Sequence, residues 1–174
     1  MNTFGRDGCE VDGLRFSVTI EPDHDAGAPW DNMDTLGTVR DVYQPGFSHL
    51  QKEPGERVMH RERGEAWLYD YAGAVAKARK EGMSGPAAAE AADREFSYLR
   101  GWLRGSWCFV GVIVTLLDTE GNPTNESDAL WGVDDAGDYV ATIAEDLALG
   151  LHSRLGHLDE LVIPERRIPI REAA

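Results

Sequence analysis

Cysteine is scarce in this chain: only Cys9 and Cys108 occur in 174 residues. Cys9 lies in a glycine-rich stretch and Cys108 inside an apolar run, so the two do not look like a disulfide framework, and no Cys-x-x-Cys exists to suggest zinc. Both thiols are expected to be reduced, Cys108 shielded in the core and Cys9 open to reagents. Long apolar runs are missing too. The longest, Trp107 to Leu117, is too short to cross a bilayer, which takes roughly 20 residues. The first ten residues have no basic start followed by an apolar stretch and do not read as a signal peptide. A cytoplasmic protein without a membrane partner is the expectation.

Positive charge is also in short supply. Lys and Arg number 17 against 31 Asp and Glu, and the net charge is −14. The acidic excess sits in residues 1–60 and 111–174, while 61–110 is near balance. Such a surface repels phosphate backbones, so direct binding of nucleic acid is not expected, and a basic partner is favoured. Solubility alone is the plainer meaning of the charge. Chemical motifs are absent as well. There is no G-x-S-x-G, no G-x-G-x-x-G, no P-loop and no H-E-x-x-H among the five histidines. No catalytic, cofactor-binding or metal-ligating residue can be assigned from motif, no cofactor is implied, and a non-enzyme is favoured.

What is present is ordinary core material: 42% apolar residues, with five each of Trp, Tyr and Phe. That suits one domain of 14–152, with a flexible glycine-rich leader at 1–13 and an extended tail at 153–174 containing Pro164 and Pro169. The patterning predicts an α+β fold, a mostly antiparallel sheet packed with three helices. Residues 14–20 alternate apolar and polar, as a half-buried strand does. Residues 107–117 are apolar on both alternating faces, as a central strand is, and 129–133 return as its hairpin partner. Short strands are placed at 38–43 and 57–60, with Glu53 to Glu56 as a turn. Helices are predicted over about 65–80, 85–104 and 135–151. Ser84 and Asp135 serve as N-caps, and Gly150 and Gly156 bracket the last helix end.

The most suggestive cluster is the segment 21–34, with Glu21, Asp23, His24, Asp25, Asp31 and Asp34 around Trp30. Carboxylates with a histidine suit a hard or borderline cation, yet the spacing fits no EF-hand. A solvated loop and a recognition surface anchored by Trp30 are the other readings. A second acidic group, Asp128, Asp134, Asp135 and Asp138, surrounds the start of the last predicted helix. The partner-binding candidates are therefore Asp23, Asp25, Trp30, Asp31, Asp34, Asp128, Asp134, Asp135 and Asp138. The bases Arg57, Arg61, Arg63, Lys77, Arg79 and Lys80 are interleaved with acids and read as paired surface charge.

Several stretches carry a resemblance: "GAPWDNMDTLG" within 18–34 and just beyond, "PGERVMHRERGEAWLYD" at 54–70, and "FSYLRGWLRGSWCFVGVIVTLLD" with "LWGVDDAGDYVATIAEDLA" between 96 and 148. Across roughly 14–152 the chain resembles a group of uncharacterised small acidic proteins encoded by bacteriophages and prophages of proteobacteria. The resemblance implies an origin and a host bacterial cytosol as the setting, and it carries over no known activity or catalytic residues. It suggests an accessory protein that binds and inhibits or redirects a basic host protein or nucleic-acid-binding complex, in an anti-defence or nucleic-acid-mimicking role. The alternatives are a small metal-assisted enzyme using the 21–34 loop, or a structural or assembly-related phage protein. A homo-oligomer is compatible with the sequence.

Overall fold

The computed structural model describes residues 3–5, 8–44 and 49–160. In chain order the elements are β1 (Thr3–Gly5), β2 (Gly8–Val11), β3 (Leu14–Pro22), α1 (Pro29–Asn32), β4 (Val39–Tyr43), β5 (Glu56–Glu62), β6 (Glu65–Asp70), α2 (Tyr71–Lys80), α3 (Gly85–Leu103), β7 (Phe109–Leu117), β8 (Pro123–Asp134) and α4 (Tyr139–Glu160). They build a five-stranded sheet of order β1-β2-β3-β7-β8 and a three-stranded sheet of order β4-β6-β5. The fold is α+β, as the patterning implies. By compactness the chain divides into two units, each assembled from separate segments. One holds Met1–Ile20, Val112–Leu130 and Val140–Ala174; the other holds Glu21–Gly111 and Trp131–Tyr139.

In the first unit, β1 and β2 occupy what reads as a flexible leader. Cys9 pairs with Phe16 across β2 and β3, and Cys9, Val11 and Phe16 are buried. The glycines at 5, 8 and 13 led the sequence reading towards a loop, but Gly5 ends β1, Gly8 starts β2, and Gly13, at positive φ, lies in the two-residue turn between β2 and β3. The β7–β8 turn is held by Asp118, whose carboxylate accepts the Glu120 and Asn122 N–H groups at 2.9 and 2.8 Å. Helix α4 buries Val140, Ile143, Ala144, Ala148 and Leu151, an apolar stripe at helical spacing. It starts four residues later than expected and runs to Glu160, through Gly150 and Gly156. The expected extended tail is thus helical over 153–160, and its remainder, 161–174, lies outside the described residues.

In the second unit, the expected helix over 65–80 is a strand followed by a helix. Leu68, Tyr71, Val75 and Ala78 match a helical period, but Trp67 and Tyr69 are strand formers, and β6 is the middle strand of its sheet. Asp70 ends the strand and caps α2, accepting the Gly73 N–H at 2.8 Å. Ser84 caps α3 as predicted, accepting from Ala87. The two helices cover a core of Met59, Tyr69, Ala74, Ala92 and Leu99, with Trp30, Val39, Trp67 and Phe96 packed against it.

One ion pair in this unit is buried on its acidic side. Glu56 in β5 is 8% exposed, and its carboxylate accepts Arg40 Nε at 2.6 Å, Arg40 Nη2 at 2.7 Å and the Glu53 N–H at 2.6 Å. The forked hydrogen bond from Arg40 holds the Glu56 carboxyl below its ordinary value. Because the folded value is lowered, the stabilisation is complete above the ordinary carboxylate value. It is lost as pH falls through the lowered one. Glu56→Gln is expected to cost about 1–3 kcal/mol at neutral pH, with the gap to wild type closing below about pH 4. Urea melts of both proteins across a pH series check this.

The expectation for the two thiols is reversed. Cys9 is buried and Cys108 exposed. Strand β7 begins at Phe109, and Trp107 and Phe109 turn inward. Cys108, between them, turns to the other side, where its N–H donates to Asp135 Oδ1 at 2.7 Å and its Sγ lies 3.7 Å from Asp135 Oδ2. Desolvation and the Asp135 carboxylate push the Cys108 thiol up; burial and Glu145 do the same to Cys9. Exposure decides the order of reaction. A thiol reagent at mildly alkaline pH is expected to label one site quickly, and Cys108→Ser to abolish that fast phase. A fast phase that survives the substitution would contradict the placement.

Candidate functional site

Among the depressions of the second unit, two that draw on the acidic segment following β3 combine aromatic rings with carboxylates. The segment is anchored at its start by the Asp23 N–H, which donates to the Phe109 carbonyl at 2.8 Å. The Asp23 carboxylate accepts the Asp25 N–H at 3.0 Å and the Gly132 N–H at 2.9 Å. Asp23 is therefore a fastening residue as well as a charge. Asn32 closes the turn by donating to the Ala26 carbonyl. At the far end, Glu95 of α3 accepts the Leu36 N–H at 2.7 Å, the Gly37 N–H at 3.0 Å and the Tyr69 hydroxyl at 2.8 Å. Burial and this carboxylate push the Tyr69 phenol far above its ordinary value. A loop rich in like charge is thus tied down at both ends.

The first depression, of about 360 Å3, is lined by Asp23, Asp25, Asn32, Met33, Phe109 and Trp131. Trp131 is 49% exposed and Met33 is 44% exposed. The indole lies across Gly111 of β7, where any Cβ would run into the ring. A glycine in an otherwise apolar central strand gives the ring a flat seat. His24 and the same ring line an adjoining depression. Among the described residues Asp25 forms no ion pair.

The second depression, of about 420 Å3, is lined by Trp30, Asp31, Val39, Asp41, Trp67 and Trp102, with Ala28. Helix α1 supplies Trp30 and Asp31, and Trp102 comes from the last turn of α3. Asp41 of β4 stands opposite Trp67 of β6, so the two side chains share a face of the sheet. Trp30 and Trp102 meet at right angles, 83° between planes and 5.3 Å between centroids.

The remaining sequence candidates do other work. Asp34 pairs with Lys77 at 2.8 Å, and that hydrogen bond lowers its carboxyl. Asp134 accepts the Tyr98 hydroxyl at 2.9 Å. Asp135 holds Cys108 and is not the expected N-cap, since α4 starts four residues later at Tyr139. Asp138 is exposed. Asp128 belongs to the first unit and pairs with Arg154 at 2.8 Å. The structure thus brings Asp23 and Asp25 together, and Trp30 with Asp31, but does not join all nine.

Sequence reasoning missed Trp131, Trp67, Trp102 and Asp41. The signal for Trp131 was Gly111, a side-chain gap in β7, with a tryptophan on the next strand. Among the described residues no three His, Cys, Asp or Glu side chains are grouped to hold a metal ion. No described helix is long and apolar enough to cross a membrane. No protein family, curated protein or solved structure matches the chain.

Proposed function

We propose that the protein is a phage accessory factor that binds a basic host protein or nucleic-acid-binding complex and inhibits or redirects it. The observation that carries this reading is Trp131: a half-exposed indole seated on Gly111, beside carboxylates of the 23–25 turn. A large rigid aromatic with a charged rim is the usual composition of a protein-binding anchor. The net charge of −14 adds long-range attraction for a basic partner. The phage-like sequence pattern supplies the setting of a host cytosol. The metal-assisted alternative gains nothing from the loop, where Asp34 is held by Lys77 and Asp23 by backbone N–H groups.

The test is capture from a proteobacterial lysate at low and high salt, with three immobilised proteins. Wild type is expected to retain a salt-sensitive partner. Trp131→Ala should lose it at both salt concentrations, since packing is not screened. Asp25→Asn/Asp138→Asn should lose it mainly at low salt, as rim charges do. Identical capture by all three would reject this surface.

A further inference from the structure

We propose that the second depression is a receptor for an arginine side chain of the basic partner. This rests on the binding reading above and gives it a particular contact. The rings of Trp30, Trp67 and Trp102 are all half-buried and line the cavity, and Trp30 and Trp67 also pack against the core. The perpendicular pair Trp30–Trp102 forms two walls of a corner. Asp31 and Asp41 stand at the cavity, both exposed, and neither forms an ion pair among the described residues. No lysine or arginine lines the cavity. Arg40, the neighbour of Asp41 in β4, alternates to the opposite face and is committed to Glu56, and His60 of β5 packs on Trp67 from the other flank of β6, with 5.8 Å between rings.

Three indoles and two unpartnered carboxylates define the chemistry of the occupant. The face of an indole attracts a cation through its quadrupole, more than any other aromatic side chain. Two carboxylates reward a cation with several donors. A guanidinium meets both demands at once, since it is flat enough to stack on a ring and its fork can bond a carboxylate while stacked. An ammonium would satisfy the charge but not the flat, forked shape. A neutral apolar side chain would leave Asp31 and Asp41 idle.

The full-length protein is to be titrated with three short peptides at low salt: one arginine between glycines, the same with lysine, and the same with citrulline, the neutral near-isostere of arginine. The readout is the indole N–H signals in a two-dimensional NMR spectrum, assigned with single Trp→Phe variants. The arginine peptide is expected to shift Trp30, Trp67 and Trp102 saturably and to leave Trp107 in place. Citrulline should bind about tenfold more weakly or worse. Asp31→Asn/Asp41→Asn, at exposed positions, should keep the fold and weaken the arginine peptide about fivefold. Equal binding of arginine and citrulline, or equal binding of arginine and lysine, or no saturable shift at the three indoles, would overturn the assignment. The peptide needs no host partner, so this assay can fail while capture through Trp131 succeeds, and the reverse.

Discussion

Glu95→Ala is expected to destabilise the protein by roughly 3–5 kcal/mol, since it strands several part-buried donors together. The carboxylate accepts two backbone N–H groups, from Leu36 and Gly37, and the Tyr69 hydroxyl. Tyr69 is fully buried, so its hydroxyl cannot turn to water once the acceptor is gone. Gly37 cannot shift freely to find another acceptor: a Cβ there would lie 2.6 Å from the Tyr69 ring, which shows how closely the backbone is packed. Glu95→Gln keeps one oxygen in place and should cost clearly less than alanine. Denaturant melts of both variants check the order. A loss below about 1 kcal/mol for alanine would mean that water replaces the carboxylate at little cost.

Phe109→Ala should cost a similar amount, roughly 3–5 kcal/mol, as emptying a large aromatic site does. Phe109 is 8% exposed and meets Trp107 edge-on, with 5.3 Å between centroids. Trp107 in turn stacks on Tyr98 at 4.3 Å and donates its indole N–H to the Tyr98 carbonyl at 2.8 Å. Removing the phenyl group opens one end of this aromatic row. It also removes a wall of the Trp131 depression. A partner-capture assay on the variant should therefore weaken along with the melt. A melt unchanged from wild type would show that the neighbouring rings close the gap.

The sequence was most legible where one pattern had one meaning. Residues 107–117 read as a central strand, and β7 lies between β3 and β8. Ser84 and Pro86 marked the start of α3. Legibility failed where two periods overlapped, as at 65–70, because Leu68 and Tyr71 suit a helix and Trp67 and Tyr69 suit a strand. Only the middle position of β6, set by its hairpin with β5 and its longer-range pairing with β4, decides between them. For the site, the sequence offered acids without their partners. It could not show that Asp34 meets Lys77, or that Asp135 holds Cys108 and does not cap a helix. Trp67, Trp102 and Asp41 come together only through strand register and the end of α3, so no local motif announces them.

The strand order has a consequence during synthesis. Strands β4 to β6 and helices α2 and α3 come from one continuous stretch, so each can find its neighbour soon after it is made. Strand β3 cannot, because its second neighbour is β7 and Arg15 reaches the Asp118 carbonyl across 103 residues. At about 5–20 residues per second the ribosome takes on the order of 5–20 s to make that much chain. Throughout that interval one edge of β3 is open to pairing with other nascent chains. The charged side chains of Arg15 and Glu21 on that strand discourage such pairing until β7 emerges.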